Sequence, residues 1–340
     1  MKSRGVVLGF SGGIDSATAV GVLQRDGYDV TALTLDTLGD SKMLAAARVR
    51  AEELGVNLVV KDVQQEFKDS IINYFADSYL AGQTPAPCTM CNPAIKWKHL
   101  LIEADRLGVE AIATGHYFNI EKYNGRHYVA RAKDVKKDQS YYLWGLSQEV
   151  LARALTPMGN EIKEVVKQRF TDKKESMGLC FLGGRTYREF MECNYPAALR
   201  AGDIVDLEGN VVGRHDGIAF YTIGQKRGLD MNFAGGCIVA IDAEQNRLVV
   251  GRDADLYHTT LEINDCNIVD EEEFMTSTDV VTIIRGIGRN PEGFIQRVEK
   301  IDGGYRIHLS DPAWAPAAGQ PVVFYRSNRV IGGGILSRYY

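Results

Sequence analysis

Short apolar runs alternate with helix-like stretches over roughly the first 180 residues, and this alternation limits the fold more than any other feature. Val6 to Phe10 reads as a buried strand. Ser16 to Arg25 reads as a helix with Asp15 or Ser16 near its N-cap, and Val30 to Leu35 as a second strand. Lys42 to Leu54, alanine-rich and closed by Gly55, is a predicted helix, and Asn57 to Val60 a third strand. Phe67 to Leu80 and Ile95 to Leu107 are predicted helical, ahead of a strand over Ala111 to Thr114. This order predicts an α/β domain built on a doubly wound parallel sheet. Ligands of such sheets bind at the carboxyl ends of the strands, where Gly9, Leu35, Lys61 and Gly115 fall.

From about Arg200 the texture changes. Gly-Asp, Gly-Asn and Gly-Arg turns punctuate short apolar runs, which predicts small β-rich domains ending in a barrel. The expected division is a catalytic domain over 1–195, a small central domain over 196–272 and a C-terminal β-barrel over 273–340. No run approaches the length of a membrane span. The apolar part of the N-terminus is too short for a signal peptide. The expectation is a cytoplasmic protein with no membrane partner. The net charge of −5 argues against indiscriminate coating of nucleic acid but leaves room for a local basic face.

Behind the first strand stands Gly9-Phe10-Ser11-Gly12-Gly13-Ile14-Asp15-Ser16. A glycine-rich turn between strand and helix offers backbone N–H groups and the helix dipole to an anion. The common phosphate loop of NTPases also needs a lysine, and this loop has none. An acid at the mouth, Asp15, suits Mg²⁺ on a pyrophosphate. A loop that cradles β and γ phosphates without lysine fits an enzyme that releases the two together. The pattern SGG-x-DS resembles the PP-loop of the N-type ATP pyrophosphatases, which adenylate a substrate oxygen. Argininosuccinate synthetase, GMP synthetase, tRNA lysidine synthetase and several tRNA thiolases share it, so the loop alone does not choose the substrate.

The cysteines do. Six in 340 residues are too sparse for a disulfide scaffold. Cys193, Cys237 and Cys266 carry no motif and read as core. Cys91 stands just before a helix predicted to start near Pro93, which would lower its thiol pKa, with Lys96 adding positive charge one turn in. Cys180 sits in a turn of small residues suited to a mobile sulfur-bearing loop. TPxPxxxCNxxIK (84–96), TGHY (114–117), KDQSYYLW (137–144), SMGLCF (176–181) and YTIGQKRGL (221–229) follow in order. Together they resemble the tRNA-specific 2-thiouridylase, MnmA/TrmU, family along the whole chain.

That resemblance implies ATP-dependent 2-thiolation of the wobble uridine of glutamate, glutamine and lysine tRNAs. It implies ATP and Mg²⁺ as cofactors, and tRNA, a persulfide donor protein and a thiol reductant as partners. Carried over by position, Gly9, Phe10, Ser11, Gly12, Gly13, Ile14, Asp15 and Ser16 hold ATP, with Leu35 and Gly115. Cys91 matches the nucleophile and Cys180 the persulfide carrier. The resemblance implies that a Cys91–Cys180 disulfide remains after transfer. His116, Lys137, Asp138, Gln139, Arg285 and Gln320 match tRNA-contacting positions, Arg285 without the tyrosine that follows it in the family.

The chain departs from the family where TPNPD is usual: Ala86 and Cys88 replace asparagine and aspartate. Cys88 then has three readings: a bland substitution, a local redox pair with Cys91, or a 4Fe–4S ligand shared with Cys91 and Cys180. Lys122, Arg126, Arg131, Lys133, Lys136 and Lys137, interleaved with Tyr123, His127 and Tyr128, predict a basic hairpin turning at Asn124-Gly125. A second basic group comprises Lys163, Lys167, Arg169, Lys173 and Lys174. The rival classes are another PP-loop adenylating enzyme, such as an amide synthetase, and a non-enzymatic RNA-binding or redox-sensing protein.

Overall fold

The computed structural model describes residues 4–170, 178–286 and 288–340. The chain forms two compact units. One comprises Met1–Ile71, Cys88–Met177 and Asn328–Ile331, and the other Ile72–Pro87, Gly178–Ser327 and Gly332–Tyr340.

The first unit starts with β1 (Arg4–Gly9), α1 (Ile14–Arg25), β2 (Tyr28–Asp36), α2 (Ser41–Glu53), β3 (Asn57–Asp62) and α3 (Gln64–Phe67). The next helix, α4 (Asn73–Leu80), belongs to the other unit. Then follow α5 (Pro87–Cys91), α6 (Lys98–Leu107), β4 (Ala111–Thr114), β5 (Asn119–Tyr123), β6 (Arg126–Ala130), α7 (Gln148–Arg153), β7 (Ala154–Leu155) and α8 (Lys163–Gln168). The sheet order is β3-β2-β1-β4-β7, parallel throughout. Strands covered on both faces need apolar residues at every position, and Val6, Val7 and Leu8 are each at most 1% exposed. Alanines 19, 32, 47, 51 and 113 let helices approach the sheet closely, and Leu23, Met158 and Val166 fill the same core.

Three helix expectations shift. The first helix begins at Ile14, so Asp15 and Ser16 lie inside its first turn and Gly13 is the N-cap. The helix expected over 67–80 is entered through a wider turn at Lys68–Ile72. A similar wide turn at Asn92–Trp97 joins α5 to α6. Pro93 is therefore carried within a helical run, because the widened turn relieves the clash a proline ring makes with the preceding turn.

The second unit contains α4, α9 (Tyr187–Asn194) and two β assemblies. Strands β8 (Gly202–Val205), β9 (Val211–His215), β10 (Asp230–Met231), β11 (Cys237–Asp242) and β12 (Arg247–Gly251) form one sheet in the order β10-β9-β8-β12-β11. After β13 (Tyr257–Ile268) comes α10 (Glu271–Thr276). Then follow β14 (Val280–Ile283), β15 (Ile295–Ile301), β16 (Gly304–Trp314), β17 (Pro321–Arg326) and β18 (Arg329–Tyr339). Their order is β14-β17-β18-β13-β16-β15, and a bridge between Val281 and Phe294 joins the two edges. The predicted β-rich C-terminal half with its barrel is thus present. No described helix is long and apolar enough to cross a membrane.

Candidate active site

The glycine loop lies between β1 and α1, at the carboxyl end of a central strand. Phe10 N–H donates to Leu33 O at 2.8 Å, and Thr34 Oγ1 donates to Phe10 O at 2.6 Å, which fixes the loop's start. Gly12 takes a φ of +74°, and a Cβ there would come within 3.0 Å of Ala47 Cα. Glycine is required twice over, by backbone conformation and by the approach of α2. Ser16 Oγ donates to Gly13 O at 3.0 Å and closes the first turn. The α1 N-terminus has no side-chain cap, so its leading N–H groups are suited to an anion. Leu35 lies at the end of β2, paired in register with Lys61. Gly115 follows β4 and backs onto α1.

Asp15 is the loop's only charged residue. Its carboxylate accepts from Lys163 Nζ at 2.7 Å and 2.6 Å, and from Tyr117 Oη at 2.8 Å. The Asp15 side chain keeps 34% of its surface exposed, so a cation could still reach it. Burial first, then the Asp15 charge, pushes the Tyr117 hydroxyl far above its ordinary pKa and keeps it a donor. Lys163 was expected on an RNA-facing basic group. Instead it is buried against the loop, because Asp15 supplies the counter-charge its enclosure requires. Arg169 pairs with Glu161 at 3.0 Å, and Lys167 lies 3.5 Å from Glu164. Lys173, Lys174, Ser176 and Met177 lie outside the described residues.

The TGHY segment turns on its own side chains. Thr114 Oγ1 lies 2.9 Å from His116 Nδ1, and burial with the nearby Lys96 charge pushes the His116 imidazole down to about 3. The residue as a whole keeps part of its surface exposed. His116 is thus a neutral hydrogen-bonding group. Gln139 is bound in both directions to Tyr117: its Oε1 accepts from Tyr117 N–H at 2.9 Å, and its N–H donates to Tyr117 O at 2.8 Å. Asp138 accepts from Ala132 N–H at 2.8 Å and from Ser140 Oγ at 2.6 Å. Gln139 and Asp138 therefore shape the turn that presents Lys136 and Lys137. The basic hairpin forms as expected, with Asn124 and Gly125 at positive φ and Lys122 and Arg126 exposed. Arg329 clamps it, lying 4.0 Å and 4.7 Å over the rings of Tyr123 and Tyr128.

Cys91 is the last residue of α5, with helical dihedrals, and is 6% exposed. The expected helix N-terminus at Cys91 is not there. The helical run starts at Pro87, so the N-terminal turn, with whatever its dipole contributes, falls at Cys88. Burial pushes the Tyr142 hydroxyl of the KDQSYYLW segment up. Asn92 Nδ2 donates to Tyr142 O at 2.9 Å, while its enclosed Oδ1 has no partner among the described residues.

In the second unit Cys180 is exposed and opens a short turn ended by Gly183 and Gly184 at positive φ. Its neighbour Phe181 anchors the turn, with ring centroids 5.1 Å from Phe75 and 5.4 Å from Phe190. Arg285 Nη2 donates to Ala315 O at 2.7 Å, and Gln320 Oε1 accepts from Ala317 N–H at 3.2 Å, so both brace barrel loops. Cys88, Cys193, Cys237 and Cys266 are free thiols. Among the described residues no three His, Cys, Asp or Glu side chains group to hold a metal.

Three family models match consecutive stretches of the chain. They are a tRNA methyl transferase HUP domain over 4–184, a tRNA methyl transferase PRC-barrel domain over 188–252 and an aminomethyltransferase β-barrel domain over 260–336. Among curated relatives, tRNA-specific 2-thiouridylase MnmA 1 of Bacteroides fragilis is 36% identical, over 99% of this chain and 98% of that protein. MnmA 3 of the same organism is 37% identical, over 99% and 95%. MnmA 1 of Clostridium botulinum is 35% identical, over 99% and 100%.

Proposed function

Because the chain belongs to the family of tRNA-specific 2-thiouridylases called MnmA, we propose that it replaces the C2 oxygen of a wobble uridine in tRNA with sulfur, using ATP. The substrates would be the glutamate, glutamine and lysine tRNAs, and the work would be done in the cytoplasm. The observation that carries this reading is the end-to-end match, which spans the loop and both motif cysteines.

The uracil C2 oxygen is a poor leaving group. The loop from Gly9 to Ser16, with Leu35 and Gly115, would hold ATP so that this oxygen attacks the α-phosphate and pyrophosphate departs. Backbone N–H groups of the first α1 turn suit the charge on the departing phosphates. Mg²⁺ would neutralise that charge, with Asp15 the loop residue able to hold it. A persulfide on Cys180, loaded by a donor protein, attacks C2, and AMP leaves with the oxygen. The Cys91 thiolate then attacks the inner sulfur of Cys180. The S–S electron pair passes to the sulfur on C2, completing the thiocarbonyl, and a Cys91–Cys180 disulfide forms. A thiol reductant supplies two electrons to restore both cysteines.

Roles divide by burial. Exposed Cys180 suits exchange with a donor protein, and enclosed Cys91 suits a step kept from bulk water. Lys136, Lys137 and the β5–β6 hairpin would meet tRNA phosphates, while neutral His116 would meet the flipped base or its sugar.

Nucleoside analysis of tRNA from cells lacking the gene tests the reading. 2-Thiouridine derivatives should vanish, return with the wild-type gene and stay absent with Cys180→Ser. Sulfur at the wobble base in the Cys180→Ser strain would overturn it.

A further inference from the structure

The loop raises a problem that its own residues do not solve. A polyphosphate brings several negative charges, yet residues 9–16 include no lysine or arginine. A cation nevertheless reaches the loop from 148 residues away. Lys163, the first residue of α8, has a side chain only 5% exposed, and its Nζ donates to both oxygens of Asp15. Tyr117 Oη shares Asp15 Oδ1, and the Lys163 ammonium lies 5.8 Å from the Tyr117 ring centre. Both partners are fixed from behind. Lys163 N–H donates to Asp134 Oδ2 at 2.9 Å, and Tyr117 N–H to Gln139 Oε1 at 2.9 Å.

With Lys163 enclosed and Asp15 about one-third exposed, the ion pair is a poor device for stability. Desolvation costs several kcal/mol per ion, and apolar residues of similar volume are often neutral or better in its place. Enclosing an ammonium against the first turn of α1 therefore calls for another reason. A phosphate bound to the N–H groups of that turn lies within a few ångströms of residue 15.

We propose that Lys163 is the loop's phosphate-binding cation, supplied in trans to the sequence motif and held ready by Asp15 and Tyr117. This rests on the reading of the loop as the ATP site. Asp15 then has two partners to choose between, and Lys163 turns to the phosphates when it is released. Lys163 is a binding residue and Tyr117 a positioning residue.

The test is calorimetric titration of inorganic pyrophosphate in EDTA, and of adenosine, into the full chain. Variants are Lys163→Met, Lys163→Arg, Asp15→Asn and Asp15→Asn/Lys163→Met, each with its melting temperature. Wild type should bind pyrophosphate, and Lys163→Met should lose about tenfold or more of that affinity with adenosine affinity unchanged. Lys163→Arg should recover most of it. Asp15→Asn, which removes the competing carboxylate, should bind metal-free pyrophosphate at least as tightly as wild type. The double variant has no unpaired buried charge, so it should recover melting temperature but not pyrophosphate affinity. Recovery of both in the double variant, or equal loss of adenosine in Lys163→Met, would overturn the assignment. If wild type binds pyrophosphate and Lys163→Met matches it, this inference alone falls. If wild type binds neither adenosine nor pyrophosphate, the ATP reading of the loop falls with it.

Discussion

A Cβ placed on Gly115 would lie 3.0 Å from the backbone nitrogen of Ser16. The end of β4 and the first turn of α1 are therefore in backbone contact, and that turn is set by a residue a hundred positions away. Gly115→Ala must push that turn by a few tenths of an ångström. ATP affinity should fall about tenfold while the chain stays folded, because the same N–H groups must converge on one anion. Titration calorimetry beside a melting curve checks this; unchanged affinity would show that the turn has slack.

Acid stability should carry the mark of His116. Its imidazole is held down to about 3 in the folded chain against an ordinary value of 6.5. Between those two values the unfolded chain binds the extra proton, so stability rises with pH across the window and drains away as pH falls through it. His116→Gln should lose less melting temperature than wild type between about pH 6.5 and pH 5. Parallel curves for the two proteins would contradict a neutral, enclosed imidazole.

Thiol reactivity should separate the two motif cysteines. Cys180 is exposed and Cys91 is 6% exposed at the end of α5 rather than at a helix start. Alkylation by iodoacetamide, followed by peptide mapping, should label Cys180 at least about tenfold faster, since access and thiolate fraction both govern the rate. Faster labelling at Cys91 would return the dipole argument to that residue.

Binding of tRNA should depend on the turn after the hairpin. Lys136→Glu with Lys137→Glu should weaken binding and reduce the slope of log affinity against log salt by about 2, roughly one per lost phosphate contact. Filter binding at several salt concentrations measures it. An unaltered slope would remove this face from the interface.

The hairpin itself should loosen without its clamp. Arg329→Ala removes a guanidinium that stacks on Tyr123 and Tyr128 and reaches Glu121 at 3.6 Å. The loss should be about 1–2 kcal/mol by urea unfolding, with faster proteolysis at Asn124-Gly125. Unchanged cleavage at that turn would mean the strands hold without it.

Local signals carried much of this architecture. Val6-Val7-Leu8, Gly12 and the Asn124-Gly125 turn each state their conformation through side-chain size or the freedom of glycine, so the sheet, the loop and the hairpin were legible. What stayed hidden depended on distant partners. Nothing around Lys163 marks it as the neighbour of Asp15, since it reads as one more lysine in a charged stretch. Asp138 and Gln139 match RNA-contacting positions, and the bonds that Asp138 accepts from Ala132 and Ser140 and Gln139 Oε1 from Tyr117 could not be read from the motif. The helix start at Pro87 rather than Pro93 escaped because a widened turn admits a proline that ordinary helical geometry would refuse.

The segment Asn328–Ile331 belongs to the unit that begins at the N-terminus, and within it Arg329 pairs with Ala130 of the hairpin. The polypeptide consequently resists dissection. A fragment cut after the last parallel strand would keep every residue of the glycine loop and still lack the stave that braces its basic arm. Shuffling such a module between proteins calls for the far end of the chain to travel with it.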